Sequence, residues 1–237
     1  MAYTPTGAIG LAMAALKSLV SNCTQWQTMI GGSPNAATAA KYIIYAADTP
    51  KIRAAAIVSN VATLTLSRSH KIPVGAIITV RGIAAPFAGT YTVTAVTANT
   101  LSYAKTASDD SMNILTPGAI VVPVALPFMI LRPAPVSSRS RIDPGSFVSN
   151  GTLLCQIEVP VTAAYQDDSD NQEIEAQDTL SLLMQGMGDL GSSGTYLYIR
   201  DIEGTYEGPT GPEEQDDNQK TYETWLATLK VMWGLTA

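Results

Sequence analysis

DNQEIEAQDTLSLLMQGMGDLG, residues 170–191, is the stretch on which the fold turns. Its last six residues put Gly186, Gly188 and Gly191 at the G-x-G-x-x-G spacing of a dinucleotide-binding fingerprint. That fingerprint works where a strand precedes it and a helix begins on it, so that bare backbone can approach a pyrophosphate at the helix N-terminus. Here the order is reversed. Ile174, Leu180, Leu183, Met184 and Met187 recur at steps of three and four, or sums of them, which predicts one face of an amphipathic helix over 171–187. Asp170 with Glu173 makes a D-x-x-E capping signal at its start. Downstream, TYLYIRDIEGTY (195–206) is rich in β-formers and predicts a strand. The glycines therefore end a helix and lead into a strand, with Gly188 or Gly191 expected as a left-handed C-cap.

The flanking segments extend this pattern. TLLCQIEVPVTA (152–163) alternates, with Leu153, Cys155, Ile157, Val159 and Val161 on one face and Gln156 and Glu158 on the other. YETWLATLKVMWG (222–234) places Trp225, Ala227, Leu229, Val231 and Trp233 on one face of a closing strand. Between these elements, SSRSRIDPGSFVSNG (137–151) and EGPTGPEEQDDNQ (207–219) read as long polar loops. IVVPVALPFMILRP (120–133), broken by prolines, reads as an edge or entry strand.

At the other end, Thr4 and Pro5 are the expected N-cap and N1 of a first helix lined by Ile9, Met13, Leu16 and Val20. TQWQTMI (24–30), capped by Thr24, and PNAATAA (34–40), with Pro34 near its start, predict two short helices, and KYIIYA (41–46) predicts a strand. Residues 53–106 differ in texture: AAIVSNVATLTLS, GAIITVRGI and GTYTVTAVTANTLSYAK are short β-rich runs separated by turn signals, as in a small barrel or sandwich. The expected organisation is an α+β core of mostly antiparallel sheet with helices on one face (1–52 and 119–237), interrupted by a small all-β module (53–108) and a return linker (109–118).

The chain has 237 residues, a net charge of −6 and 14% charged residues. An acidic chain argues against gripping nucleic acid through neutralised phosphates, and a surface so poor in charge suits burial against other protein chains. The apolar run 7–20 lacks a basic leader and is too short to span a bilayer. The two cysteines, Cys23 and Cys155, are expected as buried thiols. The inventory for chemistry is thin. His70 is the single histidine and sits beside a proline-containing turn, where a loop role is expected. Neither a P-loop nor G-x-S-x-G occurs. DDSDNQE (167–173) fails the EF-hand requirement for Gly at the sixth and Glu at the twelfth position in either register. No catalytic, cofactor-binding or metal-ligating residue is assigned. The charged groups left over, Asp167, Asp168, Asp170, Glu213, Glu214, Asp216 and Asp217 together with Arg132, Arg139 and Arg141, are candidates for an interface or for the lining of a lumen.

Three stretches carry a resemblance. They are LAMAALKSLVSNCTQWQTMIGG…PNAATAAKYIIYAAD, TLLCQIEVPV…DNQEIEAQDTLSLLMQGMGDL, and YIRDIEGTYEGP…YETWLATLKVMWG with its late tryptophans. Together they resemble the tail terminator (tail-completion, or neck) proteins of long-tailed bacteriophages, with the β module as an insertion like those of other phage structural proteins. The resemblance implies a virion protein, assembled in the host cytoplasm, that forms a homohexameric ring at the head-proximal end of the tail. Its partners would be copies of itself, the tail-tube protein and the head-completion connector, with DNA passing through the lumen unbound and no membrane or cofactor involved. It implies a steric role, not an enzymatic one, with the insert decorating the outside of the ring. Another head–tail connector or minor capsid protein, and a hydrolase using Asp and Glu, are the alternatives.

Overall fold

Alternation of apolar and polar residues along four long strands builds the larger of two units. In a computed structural model, which describes residues 8–31, 35–113, 119–143, 146–160, 169–190, 192–193, 197–210, 214–216, 219–221 and 224–236, the chain divides into Met1–Ala46 with Pro127–Ala237, and Ala47–Leu126. The protein is α+β: a mostly antiparallel sheet with helices on one face, plus an inserted all-β unit.

The α+β unit opens with α1 (Ala8–Asn22), α2 (Thr24–Met29) and α3 (Ala36–Ala39), followed by β1 (Ile43–Tyr45) between two 3₁₀ turns, Ala40–Tyr42 and Ala46–Asp48. The inserted unit contains β2 (Ile52–Val58), β3 (Val61–Leu66), β4 (Ile77–Arg81), β5 (Gly89–Val96), β6 (Thr100–Ala104), β7 (Asp110–Asn113) and β8 (Ile120–Val122). The chain then returns through β9 (Phe128–Asp143), β10 (Ser146–Pro160), α4 (Ser169–Leu190), β11 (Ser192–Ser193), β12 (Leu197–Thr210), β13 (Glu214–Asp216), β14 (Gln219–Thr221) and β15 (Thr224–Thr236).

The six-stranded sheet runs β1-β9-β10-β15-β12-β11, with only the β1–β9 pair parallel. Its register follows the hydrophobic alternation, because a slip of one residue would turn every apolar side chain to the wrong face. Leu153 sits opposite Val231, Cys155 opposite Leu229 and Ile157 opposite Ala227. These residues, with Trp225 and Trp233, form one core with Leu16, Leu19 and Val20 of α1, Trp26 of α2 and Leu180, Leu183 and Met187 of α4. The opposite face is not simply wet: Glu158 is 4% exposed and accepts a hydrogen bond from the Thr224 hydroxyl at 2.9 Å.

Gly186 of the fingerprint-like segment lies inside α4, where a Cβ would come 2.1 Å from Gln25 Oε1 and 2.8 Å from Cys23 Sγ. The glycine lets α2 approach α4 closely. Gly188 is also helical, so the expected left-handed cap at that position does not form, and Gly191 lies outside the described residues. The helix begins at Ser169, which puts Asp170 and Glu173 within it; Glu173 accepts from Gln177 one turn on, at 2.9 Å. Ile174 was expected on the buried face but is 58% exposed, and Ala176 takes the buried position. On α2 the cap is Cys23 and not Thr24, since Cys23 holds the extended conformation before the first turn. Asn35 caps α3 by accepting from the Thr38 amide at 2.8 Å. Thr4, Pro5, Pro34 and Val161 lie outside the described residues.

Both expected polar loops are largely strand. Residues 137–143 and 146–151 continue β9 and β10, and 207–210 continue β12, while β13 and β14 pair with each other. Backbone hydrogen bonding carries these ladders with few apolar residues (Ile142, Phe147 and Val148), so the strict alternation that marks a half-buried strand is missing from them.

In the inserted unit the strand order is β7-β2-β3-β6-β5-β4-β8. The Ile52 amide donates to Ala119 O and the Val121 amide to Pro50 O, and Lys51 bridges Ile120, so the β8 end of the sheet returns to the start of β2 and closes a small barrel. Its core contains Ile57, Leu64, Ile78, Val80, Phe87, Val93, Leu101, Tyr103 and Val121. The run AAIVSNVATLTLS is two strands, turned at Ser59 and Asn60 with φ of 52° and 64°, as a two-residue hairpin requires. The segment expected as a return linker contains β7, and residues 120–133 form two strands, β8 and β9, in different sheets.

Candidate interface

His70, Cys23, Cys155 and Tyr103 are held in structural surroundings. His70 lies in a loop of the barrel unit. Its Nδ1 accepts from the Ile72 amide at 3.2 Å, which leaves Nε2 to donate to Thr100 O at 3.0 Å. Cys23 and Cys155 are buried free thiols, and burial pushes the Cys155 thiol up to about 12. Tyr103 is raised well above the usual phenol range by burial and, secondarily, by Tyr91, whose ring stacks on it at 4.1 Å; its hydroxyl donates to Phe87 O at 2.8 Å. Among the described residues no three His, Cys, Asp or Glu side chains converge as a metal site would require, and no helix is long and apolar enough to cross a membrane.

The charged residues singled out in the sequence fall on separate elements. Asp170 is in the first turn of α4, while Glu214 and Asp216 are in β13. Asp167, Asp168, Glu213 and Asp217 lie outside the described residues. Arg132, Arg139 and Arg141, expected around a loop, are instead carried by one continuous strand, β9. Arg132 is exposed and stands opposite Leu154 of β10; Arg139 and Arg141 occupy the positions opposite Ser149 and Phe147.

What the structure does bring together is a pair of sheet edges. β1 covers the outer edge of β9 only at Met129–Leu131, and β11 covers β12 only at Leu197 and Tyr198. Among the described residues, 132–143 pair with β10 alone, bulged over 134–136 and at Ile142, and 199–205 pair with β15 alone, bulged at Arg200. A row of unpaired amides and carbonyls is a template for another strand. β12 bulges at two places, between Ile199 and Asp201 and between Tyr206 and Gly208. Beside the first bulge an open cleft of about 280 Å³ lies between α4 and β12, lined by Met184, Gly188, Ile199, Arg200, Asp201 and Ile202. Asp201, Glu203 and Glu207 are exposed along this strand. Glu203 pairs with Lys230 at 3.3 Å and Glu207 accepts from the Thr228 hydroxyl. The sequence candidates lie in the denser acidic runs and do not include these three acids. The signal was the three-residue step from Ile199 to Ile202, both packed against the core, which a regular strand cannot accommodate without a bulge.

The fold thus defines a two-unit α+β protein with an open-edged sheet and an inserted barrel. No protein-family model, curated protein or solved structure matches the chain.

Proposed function

We propose that the protein is a virion structural component of a long-tailed phage: a homohexameric ring at the head-proximal end of the tail that ends tail-tube polymerisation and docks the head-completion connector. The observation that carries this reading is the sheet with two long strand edges paired on one side only, on opposite sides of one unit. Closed rings need two different, complementary patches on each subunit, and opposite edges of one sheet are such patches. Exposed Leu11, Ile174, Leu182 and Leu190 add apolar surface on α1 and α4 of the same unit. The net charge of −6 suits a channel through which DNA slides without being held.

Light scattering on the eluting protein tests the reading directly. A particle near six times 25.0 kDa, ring-shaped by negative-stain microscopy, and able to stop elongation of purified tail tubes, is the expected result. A chain that stays monomeric at all concentrations, with and without tubes, overturns it.

A further inference from the structure

We infer that copies of this chain join head to tail by strand addition, the outer edge of β9 in one copy pairing antiparallel with the outer edge of β12 in the next. This rests on the ring-forming part of the proposal above and not on its tail-tube role.

Three observations carry it. The first is direction. β9, β10, β15 and β12 are successive antiparallel neighbours, so the first and last of these four strands run in opposite senses. Repeating the unit by rotation sets β12 against the next β9 with the sense an antiparallel ladder needs.

The second is charge. Arg132–Asp143 carries three arginines against one aspartate, and Ile199–Thr210 carries Asp201, Glu203 and Glu207 against Arg200. Unlike edges attract. A two-fold contact of β9 with β9, or β12 with β12, would set like charges together and is disfavoured.

The third is where pairing can occur. Pro133 and Pro135 offer no amide, and β12 is bulged around Arg200 and Glu207. β9 is itself bulged over 134–136 and at Ile142, so the uninterrupted partners are residues 137–141 and 201–205. The cleft beside Ile199 flanks this stretch of β12, open to a side chain of the incoming strand.

The test uses the full chain in mixtures. One variant carries Arg139→Glu and Arg141→Glu; the other carries Asp201→Lys and Glu203→Lys. Each alone should remain monomeric by light scattering, and an equimolar mixture should assemble, because each reversed edge then meets its complement. Wild-type assembly should weaken as salt rises. Cysteine placed at Ser138 or Ser140 in one chain and at Glu203 or Thr205 in the other should give a disulfide-linked dimer in the mixture at one or more pairings. Dimers formed by either cysteine variant alone would indicate like-edge pairing and overturn the seam. So would rings that form without any mixed disulfide, which leave the ring itself standing. A wild-type monomer at every concentration removes both seam and ring. Assembly enhanced by Arg139→Ser and Arg141→Ser would show that the arginines protect the edge, and would also overturn the seam.

Discussion

The inserted barrel and the α+β sheet meet the same hazard, the free edge of a sheet, in opposite ways. In the barrel, β8 returns to the residues leading into β2 through two backbone hydrogen bonds and a bridge at Lys51. In the α+β unit, β9 and β12 run well past the short strands that cover them. Full closure removes an edge, whereas bulges, prolines and charges only discourage its use. Among the described residues the barrel unit keeps the short edge of β7, whereas the long one-sided edges lie in the α+β unit, where the proposed association is placed. The units also differ in how their cores are filled. The sheet relies on tryptophans pressed against helices, and the barrel on aliphatics around a stacked tyrosine pair.

All three tryptophans, Trp26, Trp225 and Trp233, lie in the α+β unit, so their fluorescence reports on that unit alone. The largest effect is expected there. Trp233→Ala should cost about 3–5 kcal/mol in denaturant unfolding followed by this fluorescence, since the ring is 2% exposed and the cavity it leaves is large. A loss below ~1 kcal/mol would mean that the sheet does not depend on this face.

Gly151→Ala comes next. A Cβ there would stand 2.8 Å from Trp233 Cζ2, and a buried indole cannot yield as a flexible chain could, so roughly 1–3 kcal/mol should be lost. The same assay reads it, and an unchanged midpoint would show that β10 and β15 can separate without cost.

Alkaline pH should act on both units, through Cys155 in the sheet and, at higher pH, through the raised Tyr103 in the barrel. The Cys155 thiol is raised from its ordinary 9.0 to about 12 by burial. The folded state therefore holds the proton more tightly than the unfolded chain. Its contribution to stability is complete below pH 9 and is lost as pH rises from 9 towards 12. At one unit above the unfolded value the expected loss is roughly 1 kcal/mol, and Cys155→Ala should flatten that slope. A slope unchanged by the substitution would remove Cys155 as its source.

In the barrel, Tyr103→Phe leaves the Phe87 carbonyl without its side-chain donor and should cost about 1–2 kcal/mol. Hydrogen exchange should localise the loss to β5 and β6, and a loss spread through β10 and β15 would break the separation drawn between the units. The smallest effect is expected for Ile174→Ser on exposed α4, within about 0.5 kcal/mol in the isolated chain. A larger loss in that state would mean that Ile174 packs against its own chain.

The parts of the fold that were legible are those where one face is apolar and the other polar. Trp225, Ala227, Leu229, Val231 and Trp233 alternate without interruption, and all five are buried. Leu180, Leu183 and Met187 keep helical spacing and meet the same core. Ile174 stands six residues before Leu180, about 120° round the helix from it, whereas Ala176 stands four before and is buried, so a sum of two three-residue steps assigned Ile174 to the wrong face. Of the candidate interface, Arg132, Arg139 and Arg141 were visible as a charged group, but their common strand was not, because a serine- and arginine-rich ribbon held by backbone hydrogen bonds has no hydrophobic period to read.

The sequence by itself determined the elements that carry one apolar face, which residues share that face, and the order helix, strand, insert, strand, helix, strand, since local alternation is written within a few neighbouring positions. Tertiary structure alone decided how far the polar strands extend, that the inserted sheet closes near Lys51, and that β9 and β12 end as opposite outer edges. Those outcomes are set by backbone amides finding carbonyls many residues away, and an amide carries no mark of its residue type by which such a partner could be read.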